Sequence, residues 1–147
     1  MVVITVVATA GLSVALRTMQ NTLTVIDRRD VFADGRFALD QMAEDLRQGE
    51  SVDSSSDADT VTVPTYLDGS AATVVWRATG TAAPYTLERS TDGGVSFIQL
   101  MDSLGSDQLF TYTDHEGVRD QVSIVMTIST KTADVELVTD VYLRNAS

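Results

Sequence analysis

The order of apolar and polar residues divides the chain into three zones, and the first is an apolar run. Residues 1–16 carry no charge, and Arg17 ends the run. As a helix, this run would be about 24 Å long, less than the roughly 30 Å hydrocarbon core of a bilayer. Its β-branched residues are also compatible with a buried strand, whereas its alanines and Leu16 favour a helix. We expect a membrane or filament-core helix whose first residues are missing, with a buried core segment as the alternative.

The second zone, residues 17–49, continues with apolar residues at helical spacing. They recur mainly in steps of three, four and seven, and so form one stripe on a helix. The stripe consists of Leu16, Met19, Leu23, Ile26, Phe32, Leu39, Met42, Ala43 and Leu46. The spacing predicts one long helix from about residue 3 to residue 48, bent near Gly35 and ended by Gly49 as its C-cap.

In the third zone, from residue 60 onwards, apolar and polar residues alternate, with turn signals such as Asp68-Gly69 between the runs. This pattern predicts six or seven antiparallel strands joined by hairpins, and Pro64 is expected to end the first of them. The predicted strands cover residues 60–63, 73–78, 85–90, 95–100, 109–113, 122–128 and 135–143. The predicted fold class is therefore α+β, with one long N-terminal α-helix packed on an antiparallel β-sheet.

The same zones predict the domain organisation. We expect residues 1–25 to form an apolar membrane or filament-core helix. Residues 26–147 are expected to form a globular domain that contains the C-terminal half of the helix and the sheet. The residues predicted to pack the helix against the sheet are Phe32, Leu39, Met42 and Leu46.

Composition narrows the function. The 147 residues carry a formal net charge of −11, which repels a phosphate backbone and disfavours nucleic-acid binding. The chain contains no cysteine, so disulfides, thiolate metal sites and cysteine nucleophiles are excluded.

Candidate chemistry is sparse. His115, the only histidine, lies in a polar turn between Asp114 and Glu116, where a solvated residue is favoured over a catalyst or a metal ligand. Three aspartates between residues 53 and 59 could attract Ca²⁺, but a solvated acidic loop is the favoured interpretation.

Two further features are interpreted as structural. Ser90–Phe97 resembles an Asp-box, the hairpin turn of some propeller enzymes, but it occurs once and a propeller needs repeats. Trp76 and Tyr85 are expected to pack in or beside the sheet instead of forming a sugar site. We therefore predict no catalytic residue, no cofactor and no metal site.

Three segments carry a resemblance to a known family. Residues 36–48 (RFALDQMAEDLRQ), residues 109–117 (LFTYTDHEG) and residues 143–145 (LRN) resemble, in this order and spacing, segments of the type IV pilin superfamily. Within it, they are most similar to the minor pilins and pseudopilins of the J type. Precursors in that superfamily begin with a basic leader, a glycine cleavage site and an early glutamate, and none of these is found at the start of this chain.

The resemblance implies a non-catalytic minor pilin or pseudopilin, a structural subunit that helps to initiate or cap a type IV pilus or a type II secretion pseudopilus. It implies other pilin-like subunits and the cytoplasmic membrane as partners, with a single-pass helix and an extracytoplasmic globular domain. No enzymatic activity, nucleic acid or small-molecule substrate is expected. The residues predicted to pack in the membrane and the filament core are Val2, Val3, Ile4, Val6, Val7, Gly11, Leu12 and Leu16.

A membrane-anchored extracytoplasmic binding module, with its ligand on the sheet, is the alternative function. A plain anchor is followed by a flexible linker, whereas a pilin-like helix continues along the sheet. No Pro/Gly/Ser-rich linker precedes Gly49, which favours the pilin-like subunit.

Overall fold

Strands make up half of the residues that the structure describes. The computed structural model describes residues 29–115, 118–130 and 133–143, apart from the side chains of residues 115 and 118. One helix, α1, covers residues 29–47. The seven strands are β1 (Thr60–Leu67), β2 (Ser70–Thr79), β3 (Tyr85–Ser90), β4 (Ile98–Leu104), β5 (Phe110–His115), β6 (Val118–Ile128) and β7 (Val135–Tyr142). The chain divides into the units Met1–Asp30 and Val31–Ser147, and the sheet belongs to the second.

All seven strands form one antiparallel sheet. Its order is β1-β2-β3-β4-β6-β5, and β7 pairs with β6. β4 is paired with β6 only at Leu104 and Ile128, whereas β5 and β7 pair with β6 over most of their lengths. β4 therefore meets β6 only at the end of β6, beyond the stretch of β6 that pairs with β5.

Hydrogen bonds between β5 and the segment before β1 bring the two ends of the sheet together. The backbone N–H groups of Leu109 and Phe110 both donate to the carbonyl of Ala58, at 2.7 and 2.9 Å. The hydroxyl of Tyr112 lies 2.8 Å from the carbonyl oxygen of Asp57 and 3.1 Å from that of Thr60. These contacts make the sheet nearly closed and barrel-like.

The hydrophobic core consists mainly of side chains from the inner faces of the strands. Alternate residues of a strand point to opposite faces, so the inner rows are apolar. The helix adds Ala38, Met42, Ala43 and Leu46 to this core. Its largest fully buried side chains from the sheet and the segments between the strands are Trp76, Leu87, Leu104, Leu109, Ile124, Met126 and Ile128.

The predicted fold class, one long helix packed on a sheet, is wrong. The described residues form a mostly antiparallel β structure with a nearly closed sheet and one short helix. Strands twist and curl, and the curled sheet supplies most of the hydrophobic core. A helix of about 28 Å is therefore long enough to complete this core. The part of the predicted helix before residue 29 lies outside the described residues, as does the proposed domain boundary between residues 25 and 26.

The predicted single-pass membrane location is also corrected. Within residues 29–115, 118–130 and 133–143, no helix has the length and apolar character needed to cross a bilayer. Every turn of α1 carries charged side chains, which are costly in hydrocarbon. The segment predicted as the anchor, residues 1–25, lies outside the described residues.

Two local predictions also differ from the structure. Pro64 does not end β1. Its carbonyl points away from β2 and accepts a hydrogen bond from the backbone N–H of Glu50, with an N···O distance of 3.1 Å. The backbone nitrogen of Pro64 therefore also points away from β2, so the proline removes no hydrogen bond between β1 and β2. Gly49 has no positive φ and is not a left-handed C-cap. Glycine is needed there because a Cβ would overlap Cγ1 of Val63.

Candidate protein interaction site

The residues predicted to pack α1 against the sheet have different surroundings. Met42 and Leu46 are buried in the core, and Leu39 is partly buried against it. Phe32 is partly buried, and its ring lies under the guanidinium of Arg36 at 5.2 Å. All the residues predicted to pack in a membrane or filament core lie between residues 2 and 16, outside the described residues.

A buried ion pair fixes α1 to the sheet. Asp45 is only 6 % exposed, and its Oδ2 accepts hydrogen bonds from Nε1 of Trp76 and Nε of Arg89, both at 2.8 Å. Oδ1 accepts a third from Nη2 of Arg89 at 3.0 Å. Asp45 was not among the residues that the sequence predicted to pack the helix against the sheet. Its position between Ala43 and Leu46, within the apolar stripe, was the signal that it faces the sheet.

β7 is an edge strand, and among the described residues no strand pairs with its far side. All eight of its residues pair with β6, and the N–H of Leu143, just beyond it, donates to the carbonyl of Asp120 at 2.9 Å. Backbone groups alternate in direction along an antiparallel ladder. In this register the N–H and C=O groups that point away from β6 belong to Glu136, Val138, Asp140 and Tyr142.

Next to this edge, a groove of about 340 Å³ runs between α1 and β7. Its helix side has residues three or four apart, which share one face. The lining residues are Arg36, Leu39, Asp40, Ala43 and Arg47 of α1 and Leu137, Val138 and Thr139 of β7. α1 packs tightly on the sheet at Gly35, where a Cβ would overlap Cδ1 of Ile128.

The two arginines of the groove differ from those of the sheet. Each described arginine of the sheet has a carboxylate partner. The pairs are Arg77–Glu88 at 2.7 Å, Arg89–Asp45 at 2.8 Å and Arg119–Asp114 at 3.8 Å. Arg36 and Arg47 have no such partner within the part of the chain that the structure describes. The groove therefore has a positive charge at each end, with one carboxylate, Asp40, on the helix between them, in a protein whose net charge is −11.

The acidic loop before β1 contains an aspartate that is hydrogen-bonded within the loop. Oδ1 of Asp53 accepts hydrogen bonds from the N–H and the hydroxyl of Ser55, at 2.8 and 2.7 Å. The backbone bond, followed by the hydroxyl bond, lowers the pKa of Asp53 below its ordinary value. Among the described residues, Asp57 and Asp59 belong to no group of three or more acidic or histidine side chains that could hold a metal ion. No such group occurs in residues 29–115, 118–130 and 133–143.

The Asp-box-like segment is a turn built around the carboxylate of Asp92. Oδ1 of Asp92 accepts hydrogen bonds from the Ser90 hydroxyl and from the N–H groups of Val95 and Ser96, and Oδ2 accepts the Ser96 hydroxyl. The Ser90 bond contributes most to holding the pKa of Asp92 well below its usual range. Gly93 and Gly94 have φ of 75° and 91°, which glycine adopts without strain. All four bonds to the carboxylate come from its own turn.

Among the described residues, the remaining candidates from the sequence do not come together in one site. Trp76 is fully buried in the core, and Tyr85 is partly buried against it. Asp114 is exposed and lies 3.8 Å from Arg119. The side chain of His115 and all of Glu116 lie outside the described residues.

The β7 edge and the groove beside it together have the features of a protein interaction site. They combine outward backbone groups, a partly apolar groove and two arginines that lack carboxylate partners among the described residues. No protein-family model, curated protein or solved structure matches this chain. The geometry of this surface and the sequence resemblance are therefore the two grounds for a function.

Proposed function

We propose that the protein is a non-catalytic structural subunit of a pilin-like assembly, such as a minor pilin or pseudopilin. It binds neighbouring pilin-like subunits through the β7 edge and the α1–β7 groove. The observation that carries this proposal is the β7 edge, which has four residues whose backbone groups point outward. Such an edge binds another chain through main-chain hydrogen bonds, while an adjacent groove supplies side-chain specificity.

The segments that resemble pilins support the proposal because they contain residues with defined structural roles. Residues 36–48 form most of α1 and the end that follows it, and they include the buried Asp45 and Leu46. Residues 109–117 begin with the buried Leu109 and Phe110, which close the sheet onto Ala58. These segments thus build the scaffold that holds α1 beside β7.

Site-specific photo-crosslinking in living cells tests the proposal. A photoreactive amino acid replaces Val138, which is 56 % exposed at the β7 edge, or Val95, which is 87 % exposed in the Asp-box-like turn. We expect position 138, but not position 95, to crosslink to pilin-like subunits of the same cell. A deletion strain should lose surface filaments or pseudopilus-dependent secretion, and the unmodified gene should restore them.

Two outcomes would contradict the proposed function. One is normal filament assembly and secretion in the deletion strain. The other is a full set of crosslinks at position 138 that contains no pilin-like protein.

A further inference from the structure

We infer that the partner is an extended segment of another protein that adds to β7 as a further strand. In this complex, basic side chains of the segment face Glu136 and Asp140, and its carboxylates face Arg36 and Arg47. The inference rests on the proposed function, because it specifies the chemistry of the partner at the same surface.

The backbone of β7 sets the length of the segment. The outward groups of Glu136, Val138, Asp140 and Tyr142 span six residue steps, or about 20 Å at 3.3 Å per residue. A strand of about seven residues can satisfy them all. Because these four residues have exposed side chains on the outer face of the sheet, the alternate residues of an added strand lie beside them.

Charge on the outer face selects a basic partner. Glu136 and Asp140 are exposed, are four residues apart and flank Val138. Side chains directly opposite each other on paired strands lie about 5 Å apart, so lysine or arginine at both opposing positions is attracted. The net charge of −11 also steers a basic segment towards this protein.

The same charges disfavour a second copy of this chain as the occupant. In an antiparallel pairing of two β7 edges centred on Val138, Glu136 of each copy faces Asp140 of the other. Like charges directly opposite each other are destabilising, and each copy carries the same net charge of −11.

Charge in the groove adds the second requirement. Arg36 and Arg47 are eleven residues apart on α1, which corresponds to about 16 Å along the helix axis. An extended segment spans this distance in about five residues. Its inward row can therefore carry a carboxylate towards each arginine and apolar residues between them, against Leu39 and Ala43. Arginine forms strong, often bidentate hydrogen bonds with carboxylates.

These requirements define a test peptide, acetyl-TEKVTVKET-amide. Its two lysines are four residues apart on one face, and its glutamates lie on the other face with valines between them. The sequence reads the same in both directions, so a parallel and an antiparallel strand present the same charges. Two controls change one charge type each: TKKVTVKKT lacks carboxylates, and TEEVTVEET lacks lysines.

Binding to the full-length protein is measured by NMR titration and calorimetry. We expect TEKVTVKET to bind at least about tenfold more tightly than either control, with the largest shifts at the amides of residues 136–142. The comparison with TKKVTVKKT is decisive, because net charge alone would make this cationic peptide the better ligand. The variant with Arg36→Glu and Arg47→Glu should reverse that preference.

A pair of proline substitutions tests the backbone contacts. Val138→Pro removes an outward N–H and leaves the β6–β7 bonds in place, so the protein should fold and lose at least about tenfold in affinity for TEKVTVKET. Thr139→Pro removes an N–H that points to β6 and should instead destabilise the fold.

Equal affinity for TEKVTVKET and TKKVTVKKT, shifts away from β7, or no binding of any peptide would overturn the strand-addition proposal. Crosslinks from position 138 to pilin-like subunits would then still support the proposed function, so the two failures are distinguishable.

Discussion

Replacing Asp45 by asparagine should strongly destabilise the protein. The substitution keeps the volume of the side chain but removes the charge and turns one acceptor into a donor. The guanidinium of Arg89, whose side chain is 18 % exposed, would keep its charge without the buried carboxylate. Breaking a buried pair by removing one partner costs about 3–5 kcal/mol, a large part of the roughly 5–15 kcal/mol by which a native domain is stable.

The Arg77–Glu88 pair provides a matched control. Its 2.7 Å contact is as short as those of Asp45, but its side chains are 37 % and 21 % exposed. The chemically equivalent change Glu88→Gln should cost no more than about 1 kcal/mol, because exposed ion pairs are worth about 0–1 kcal/mol. The two variants thus separate the effect of burial from the effect of ion-pair geometry.

Urea denaturation followed by fluorescence is a suitable assay, because Trp76 is the only tryptophan and its indole N–H is bonded to Asp45. If Asp45→Asn is unfolded without urea, Trp76→Phe followed by circular dichroism provides a second measurement. It retains the ion pair and should have a smaller effect than Asp45→Asn. If Asp45→Asn and Glu88→Gln lower the free energy of unfolding by amounts within about 1 kcal/mol of each other, the stabilising role of the buried ion pair is refuted.

Three further predictions concern other parts of the fold. Gly49→Ala should lower the free energy of unfolding by about 1–3 kcal/mol in urea denaturation, because its Cβ overlaps the buried Val63. Burial raises the pKa of Tyr112 above the ordinary tyrosine value of 10.0. The neutral hydroxyl therefore contributes stability that is fully present below about pH 10 and should be lost as the pH rises further. Tyr112→Phe should therefore reduce the fall in the urea midpoint between about pH 9 and about pH 11. Asp92→Ala should speed hydrogen exchange of the two turn amides bonded to its Oδ1 while the core amides remain protected; equal acceleration throughout the sheet would contradict a local role.

Sequence periodicity was informative about the strands but not about the curvature of the sheet. Alternation predicted six or seven strands after residue 60, and the described residues form seven. The nearly closed shape depends on the single β4–β6 pair and on the bonds of Leu109 and Phe110 to Ala58. These contacts join residues far apart in sequence, whereas periodicity reports only on which face each residue lies.

The candidate site was hidden from the sequence for a similar reason. Nothing in the alternation of residues 135–143 distinguishes an edge strand from a central one, because strand order is set by pairing between distant segments. The partner of Asp45 was equally unpredictable, since Arg89 is 44 residues away in the chain. Periodicity alone could have shown only that Asp45 lies within the apolar stripe of α1.

Amide hydrogen exchange along β7 tests the central claim most directly. In the free protein, the amides of Glu136, Val138, Asp140 and Tyr142 should exchange rapidly, whereas the alternating amides bonded to β6 should be protected. Saturation with TEKVTVKET should protect the first set as well. Uniform protection of β7 in the free protein, or no gain in protection in the saturated complex, would contradict an open strand edge that binds an extended partner.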